Sequence, residues 1–239
     1  MSARLEGQTV VLIGGSAGIG LETARLAHAE GAEVIITGRN QERLDAAAAE
    51  VGAARTAAFD ARDLDVLSEF FTGLPAIDHV LVTGSGPYYA PLAELDFDEV
   101  RADIDQHILV PVQLARDAVG RVRPGGTLLF IGGTGGRRIH KGLGLISALT
   151  AAMPQLVATL ALEIAPVRVN LIAAGFVDTP LSARLLGDQI EARREELRET
   201  LPIGRVVGPA DIAALALHLM TNTALTGATY DIDGGQQLL

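Results

Sequence analysis

The sequence contains no cysteine and no tryptophan. Without cysteine there is no disulfide framework and no thiolate metal site, as expected of a chain in the reducing cytosol. Aromatic residues make up only 4% of the chain, so its interior is built from Ala, Val, Leu, Ile and Gly. Such small, branched residues suit helices packed tightly on a parallel sheet. Positive charge is scarce: 19 Lys and Arg against 29 Asp and Glu give a formal net charge of -10. That balance excludes the clustered cations of a nucleic-acid or anionic-membrane surface. No stretch approaches the roughly 20 apolar residues that span a bilayer. The opening residues, Met1 to Gln8, are polar and lack the apolar core of a signal peptide, so a cytoplasmic location is expected. No cluster of metal-ligating residues stands out, and no metal is expected.

What is present is abundant apolar matter, 49% of 239 residues, enough for one domain with a sizeable core. Short β-branched runs alternate with helical patterns. The runs are Val10–Ile13, Glu33–Thr37, Thr56–Phe59, His79–Thr83, Thr127–Ile131, Arg168–Ile172 and Ala228–Ile232. The helical stretches include Leu21–Glu30, Gln41–Val51, Leu64–Phe71, Leu181–Thr200 and Asp211–Met220. Two long helices are expected at Phe97–Gly120, kinked at Pro111, and at Leu145–Ile164, containing Pro154. This alternation predicts right-handed βαβ units. The expected architecture is an α/β, doubly wound Rossmann fold, a single dinucleotide-binding domain over 1–239. Its parallel sheet has about seven strands, with helices on both faces.

The strongest local signal is Val10-Val11-Leu12-Ile13 running into Gly14-Gly15-Ser16-Ala17-Gly18-Ile19-Gly20, glycines after a strand and before a helix. A tight turn there lets backbone N–H groups and a helix N-terminus face a pyrophosphate, which a Cβ at the close-approach positions would block. An ordinary glycine-rich turn is the competing reading. Asp60, followed by Ala61, ends the third strand, where a carboxylate can accept from an adenine amino group or simply cap a helix. Thr37-Gly38-Arg39-Asn40 ends the second strand. A cofactor without a 2′-phosphate wants an acid there; Gly38 takes that place, and Arg39 can pair with a phosphate or stay solvated. The pattern points to NADP(H) rather than NAD(H).

Over nearly its whole length the chain resembles the short-chain dehydrogenase/reductase family. Gly14 to Gly20 matches the family's glycine motif, with Ile13 for the usual Thr, and Asp60 and Asp63 match its acidic turn. Thr83-Gly84-Ser85-Gly86 sits where the family has Asn-Asn-Ala-Gly, and the stretch Arg168 to Pro180 matches the segment carrying nicotinamide contacts. Pro202 to Arg205 and Asp231 to Gly235 match the closing segments. The resemblance implies cofactor contacts from Gly84, Gly86, Gly175, Val177 and Thr179. The family's reaction uses a Tyr, a Lys four residues later, a Ser and an Asn. Here the Tyr falls on Ile146, the Lys on Thr150, the Ser on Gly132 or Gly133 and the Asn near His107, and no Tyr occurs between Tyr89 and Tyr230.

Replacement proton donors are therefore sought among His107, Tyr88 and His140. Tyr89, Ser147, Thr134 and the cations Arg137 and Arg138 lie in the same stretches, and the bland readings (packing or solvation) stand beside each. Residues 181–201 resemble the family's substrate lid. The two long helices carry apolar residues on more than one face, so a homodimer or homotetramer is expected. The expected function is NADP(H)-dependent oxidoreduction of a small carbonyl or alcohol substrate by an atypical proton donor. The alternatives are an inactive NADP(H)-binding sensor or partner protein, and a lyase or isomerase on the same fold.

Overall fold

A computed structural model describes residues 3–84, 86–137 and 141–239. The described residues form one sheet: β1 (Thr9–Ile13), β2 (Glu33–Gly38), β3 (Arg55–Ala58), β4 (Ile77–Val82), β5 (Val122–Gly133), β6 (Arg168–Ala174) and β7 (Thr229–Ile232). Their order is β3-β2-β1-β4-β5-β6-β7, and every pairing is parallel. The order reverses between β1 and β4, and in such a sheet ligands bind at the carboxyl ends beside that reversal. The doubly wound architecture expected from the alternation is what the chain adopts.

The period-2 geometry of the strands divides the core in two. Val11, Ile13, Val80 and Phe130 face α3 (Leu64–Thr72), α5 (Val110–Ala118) and α6 (Ile146–Glu163). Val10, Leu12, Leu81 and Leu129 face α1 (Gly18–Ala29), α2 (Gln41–Val51) and α9 (Pro209–Thr221). Because both faces are covered, the strands read as continuous apolar runs rather than alternating ones.

Four expectations are corrected. The helix expected over Phe97–Gly120 is instead α4 (Phe97–Ile104), a π turn at Asp105–Leu109 and α5. Pro111 has no N–H and its ring crowds the carbonyl four residues back, that of His107; the wider turn absorbs both effects. The helix expected over Leu181–Thr200 is two, α7 (Pro180–Leu186) and α8 (Ile190–Thr200). Gly187 separates them at φ 52°, a left-handed conformation that ends α7. The fifth strand is longer than the expected Thr127–Ile131 at both ends. Finally, α6 has the length and apolarity to cross a membrane, contrary to the sequence expectation, but Met153, Val157, Leu160 and Ala161 on it are buried against the sheet.

Arg168 shows how a motif shared with the family serves the fold. It is buried, and its guanidinium donates to the carbonyls of Leu219 (2.7 Å), Met220 (2.7 Å), Asn222, Leu225 and Gly125. It thus satisfies the free carbonyls at the end of α9, where a cation also opposes the helix dipole. Asn170 donates to Leu225 O (2.9 Å) and accepts from Ala228 N–H, so it fixes the approach to β7. Arg168→Met is expected to cost about 3 kcal/mol by leaving several buried carbonyls unsatisfied. In thermal unfolding that is a fall of roughly 6–12 °C; a shift under 2 °C would refute the assignment.

His79 on β4 is buried between Gln8 and Thr127. Its Nε2–H donates to Gln8 Oε1 (2.6 Å), and its Nδ1 lies 3.0 Å from the Thr127 hydroxyl, which can donate to it when the ring is neutral. Burial pushes its pKa down to about 4 from 6.5. Between those values the unfolded chain binds the proton and the folded chain does not, so stability falls as pH drops through that window. The expected loss is about 3 kcal/mol, and comparison of His79→Gln with the parent by urea unfolding at pH 7 and pH 4.5 should show a shallower acid limb in the variant.

Candidate active site at the carboxyl edge of the sheet

The glycine loop is closed by contacts that only hydrogen can occupy. A Cβ on Gly20 would lie 2.2 Å from the Gly14 carbonyl oxygen. Gly14 has φ +92°, and a Cβ there would meet Thr83 Oγ1 at 2.3 Å. Thr83, at the end of β4, donates its hydroxyl between the carbonyls of Ile13 (3.2 Å) and Gly14 (3.1 Å). It thereby ties the loop to the neighbouring strand. Sequence reasoning gave Thr83 no role; the signal was a hydroxyl in the stretch aligned with an amide-rich motif. α1 begins at Gly18 with no side-chain cap from Ala17 and no acid in its first turn. Its first N–H groups are thus available to an anion. Ser16 and Ile19 complete the loop.

The second-strand position is equally specific. A Cβ on Gly38 would lie 2.9 Å from Ser16 Oγ, so Ser16 occupies the space an acidic side chain would need. Arg39 is exposed next to it and has no ion-pair partner among the described residues. Asp60, expected to offer its carboxylate to an adenine, is half-buried and also holds Arg62. It accepts from Arg62 Nη2 (2.7 Å), Nε (3.1 Å) and backbone N–H (3.0 Å). The Arg62 guanidinium holds that carboxyl below the usual carboxylate range. Ala61 is half-buried between them. Asp63 caps α3, accepting from Val66 N–H.

The remaining cofactor positions gather on the other side of the loop. Thr179 caps α7 by accepting from Ser182 N–H (3.2 Å) and lies within 3.5 Å of where a Gly18 Cβ would stand. Leu181 presses on Gly86, whose Cβ would be 2.8 Å away. Ser182 donates to Val177 O (2.5 Å). Gly175 has no room for a side chain beside Asp233 and Gln236. Gly84 stands at the mouth, next to Gln106. Thr179 and Pro180, at the start of α7, thus lie against the glycine loop at Gly18, and Arg194 of α8 holds Asp178 with two bonds of 2.7 and 2.9 Å.

The opposite half is apolar where the family carries its acid–base groups. Ile146 and Thr150 are both buried. The Thr150 hydroxyl donates to Ile146 O (2.9 Å), its own helix, and its methyl lies 3.7 Å from where a Gly133 Cβ would stand. Gly132 packs against Met153. Of the replacement donors, Tyr88 is directed to the loop before α4, its hydroxyl accepting from Asp96 N–H (3.1 Å). Tyr89 is exposed. Thr134 and Ser147 flank the end of β5 and the first turn of α6. Arg137 is spent on Asp231 and Gln237, so it is not a free cation for an anionic substrate. Arg138 and His140 lie outside the described residues.

Of the candidate donors among the described residues, His107 lines a cavity beside Met153. The π turn carries it, with Gln106, to a cavity of about 20 Å³ at the carboxyl ends of β4 and β5, beside Gly84, Phe130 and Met153. Its Nδ1–H donates to Asp103 O (2.9 Å), because a carbonyl only accepts. That leaves Nε2 as the nitrogen able to exchange a proton.

Residues 14–237 match the family model described as enoyl-(acyl carrier protein) reductase. The chain belongs to the short-chain dehydrogenase/reductase family. Its curated relatives include galactitol 2-dehydrogenase (L-tagatose-forming) of Cereibacter sphaeroides, 33% identical over 97% of this chain and 96% of that protein. They also include the short-chain dehydrogenase/reductase malC of Malbranchea aurantiaca, 26% identical over 98% and 96%. Among solved structures, MalC reductase/Diels-Alderase from that organism superposes with a TM-score of 0.88 at 25% identity, over 100% of this chain and 99% of that one. A small-chain dehydrogenase in complex with NADPH superposes with a TM-score of 0.83 at 25% identity, over 97% and 99%. The family is one of NAD(P)(H)-dependent oxidoreductases.

The glycine loop yields a direct test. Gly20→Ala is expected to cost about 1–3 kcal/mol of stability through the clash with Gly14 O. It should also weaken dinucleotide binding by about tenfold or more, read by NADPH fluorescence titration. An unchanged Kd would mean that the loop does not approach the dinucleotide.

Proposed function

We propose that the chain is an NADP(H)-dependent oxidoreductase that interconverts a small carbonyl and its alcohol, with His107 as the proton-transferring group. The preference for NADP(H) rests on Gly38, where Ser16 fills the space of an acid, and on Arg39 beside it. Gly14, Ser16, Ala17, Gly18, Ile19 and Gly20 would hold the pyrophosphate, Ser16 and Arg39 the 2′-phosphate, and Gly84, Gly86, Gly175, Val177 and Thr179 the nicotinamide end. When bound, the cofactor supplies or accepts the hydride. The chain's own task is to place the carbonyl carbon near it and to move one proton.

His107 carries that proton. With Nδ1–H anchored on Asp103 O, the ring is fixed and protonated Nε2 gives its proton to the carbonyl oxygen as the hydride adds to carbon. The adjoining cavity is the size of one water, and Gln106 lines it too, so the transfer can run through a single bridging water. Solvent reprotonates the ring after each turnover. In the oxidative direction neutral Nε2 accepts the alcohol proton.

A second reading draws on the buried Ile146 and Met153, which make the floor beside β5 apolar. Such a floor suits a reaction that needs no proton transfer to oxygen, and the MalC neighbour is described as both reductase and Diels-Alderase. Product formed with no change in NADPH absorbance would favour that reading. The outer faces of α5 and α6 leave Val112 and Leu162 exposed, which fits assembly into a homodimer or homotetramer.

The test is single-turnover reduction of a panel of aldehydes and ketones, followed at the NADPH absorbance. His107→Gln should slow it by about a hundredfold or more and leave NADPH affinity unchanged. Equal rates in parent and variant would remove His107 from the mechanism.

A further inference from the structure

The cofactor reading leaves one feature unused. A cleft of about 420 Å³ opens beside Arg39, and Arg62 from the turn after β3 and Arg184 from α7 line it as well. Three guanidinium groups from three separate elements converge there, in a chain whose net charge is -10. The cleft's acids are Glu99 and Asp103 of α4. Asp103 accepts from Tyr88 N–H (3.0 Å), and burial pushes its carboxyl up. Arg62 shares its charge with Asp60 at 2.7 Å. A 2′-phosphate beside Arg39 would carry close to two negative charges and three strong acceptor oxygens. Arg39 alone would leave one of those charges unmatched.

The geometry of α7 supplies the second cation. Leu181 packs on Gly86, and residues three apart in a helix share a face. Arg184 is therefore on the side of α7 turned toward the cleft, consistent with its place in the cleft wall. The helix itself is held down by Thr179 against Gly18 and by the Ser182 hydroxyl on Val177 O.

We propose that Arg184, on the segment that covers the glycine loop, is a specificity-determining residue that reads the 2′-phosphate of NADP(H) together with Arg39. This rests on the cofactor reading above and extends it to a residue of the substrate lid. The consequence is that the 2′-phosphate adds a tether on α7, so NADPH protects residues 181–201 from amide exchange more than NADH does.

The experiment titrates NADPH and NADH into the parent, Arg184→Gln and Arg39→Ala by calorimetry. Amide exchange across 180–200 is measured with each nucleotide. Thermal unfolding of Arg184→Gln is measured alongside, so that a loss of fold is told apart from a loss of nucleotide affinity. The expected result for Arg184→Gln is NADPH affinity weakened by about three- to tenfold and NADH affinity changed less than twofold. In the parent, NADPH should slow exchange in 180–200 more than NADH does, and Arg184→Gln should erase that difference. Unchanged NADPH affinity in Arg184→Gln, or parallel loss of both nucleotides, overturns the proposal. If Arg39→Ala keeps its preference intact while Arg184→Gln loses it, the inference stands and the role given to Arg39 fails. If the parent shows no preference for NADPH, the cofactor reading fails and the inference with it.

Discussion

The site depends on how closely the backbone of the glycine loop approaches itself and its neighbouring strand. Gly20 fits beneath the Gly14 carbonyl with no space for a methyl group, and Thr83 bridges the Ile13 and Gly14 carbonyls from β4. The uncapped start of α1 is therefore fixed at the one place where the strand order reverses. Everything else in the site is arranged around that point: Gly38 and Arg39 on one side, Thr179 and Leu181 on the other.

The two halves of the site have diverged. The dinucleotide half keeps its steric requirements at several independent positions, each of which a single Cβ would violate. The acid–base half has become apolar and self-satisfied, with Thr150 bonded back to its own helix. A hydride can be delivered by positioning alone, but a carbonyl reduced at neutral pH also needs a proton. In the proposed function His107 meets that need; the π turn before Pro111 carries it and Gln106 to the small cavity beside Phe130 and Met153.

Much of this was legible in the residues. The runs Val10–Ile13 and Arg168–Ile172 read as strands because both of their faces are covered, and the glycine spacing marked the turn. Most of the parts that stayed hidden depend on partners distant in sequence. Arg137 looked like a free cation until Asp231, 94 residues away, proved to hold it. Asp60 looked like an open acceptor, but Arg62 folds back on it over two residues, a local contact that rotamers rather than spacing decide. Arg168 and Asn170 matched a family segment whose purpose sequence alone did not show; they fasten the end of α9 and the start of β7. Arg39, Arg62 and Arg184 belong to three elements, so their convergence has no periodicity to betray it.

The central claim is that the dinucleotide half is intact and selects the 2′-phosphate. Its most direct measurement is calorimetric titration of the unmodified protein with NADPH and with NADH under the same low-salt conditions. Tight, enthalpically resolved NADPH binding is expected, with NADH binding weaker by about tenfold or more. Equal affinities would contradict the reading of Gly38 and Arg39, and binding of neither would reduce the glycine loop to an element of the fold.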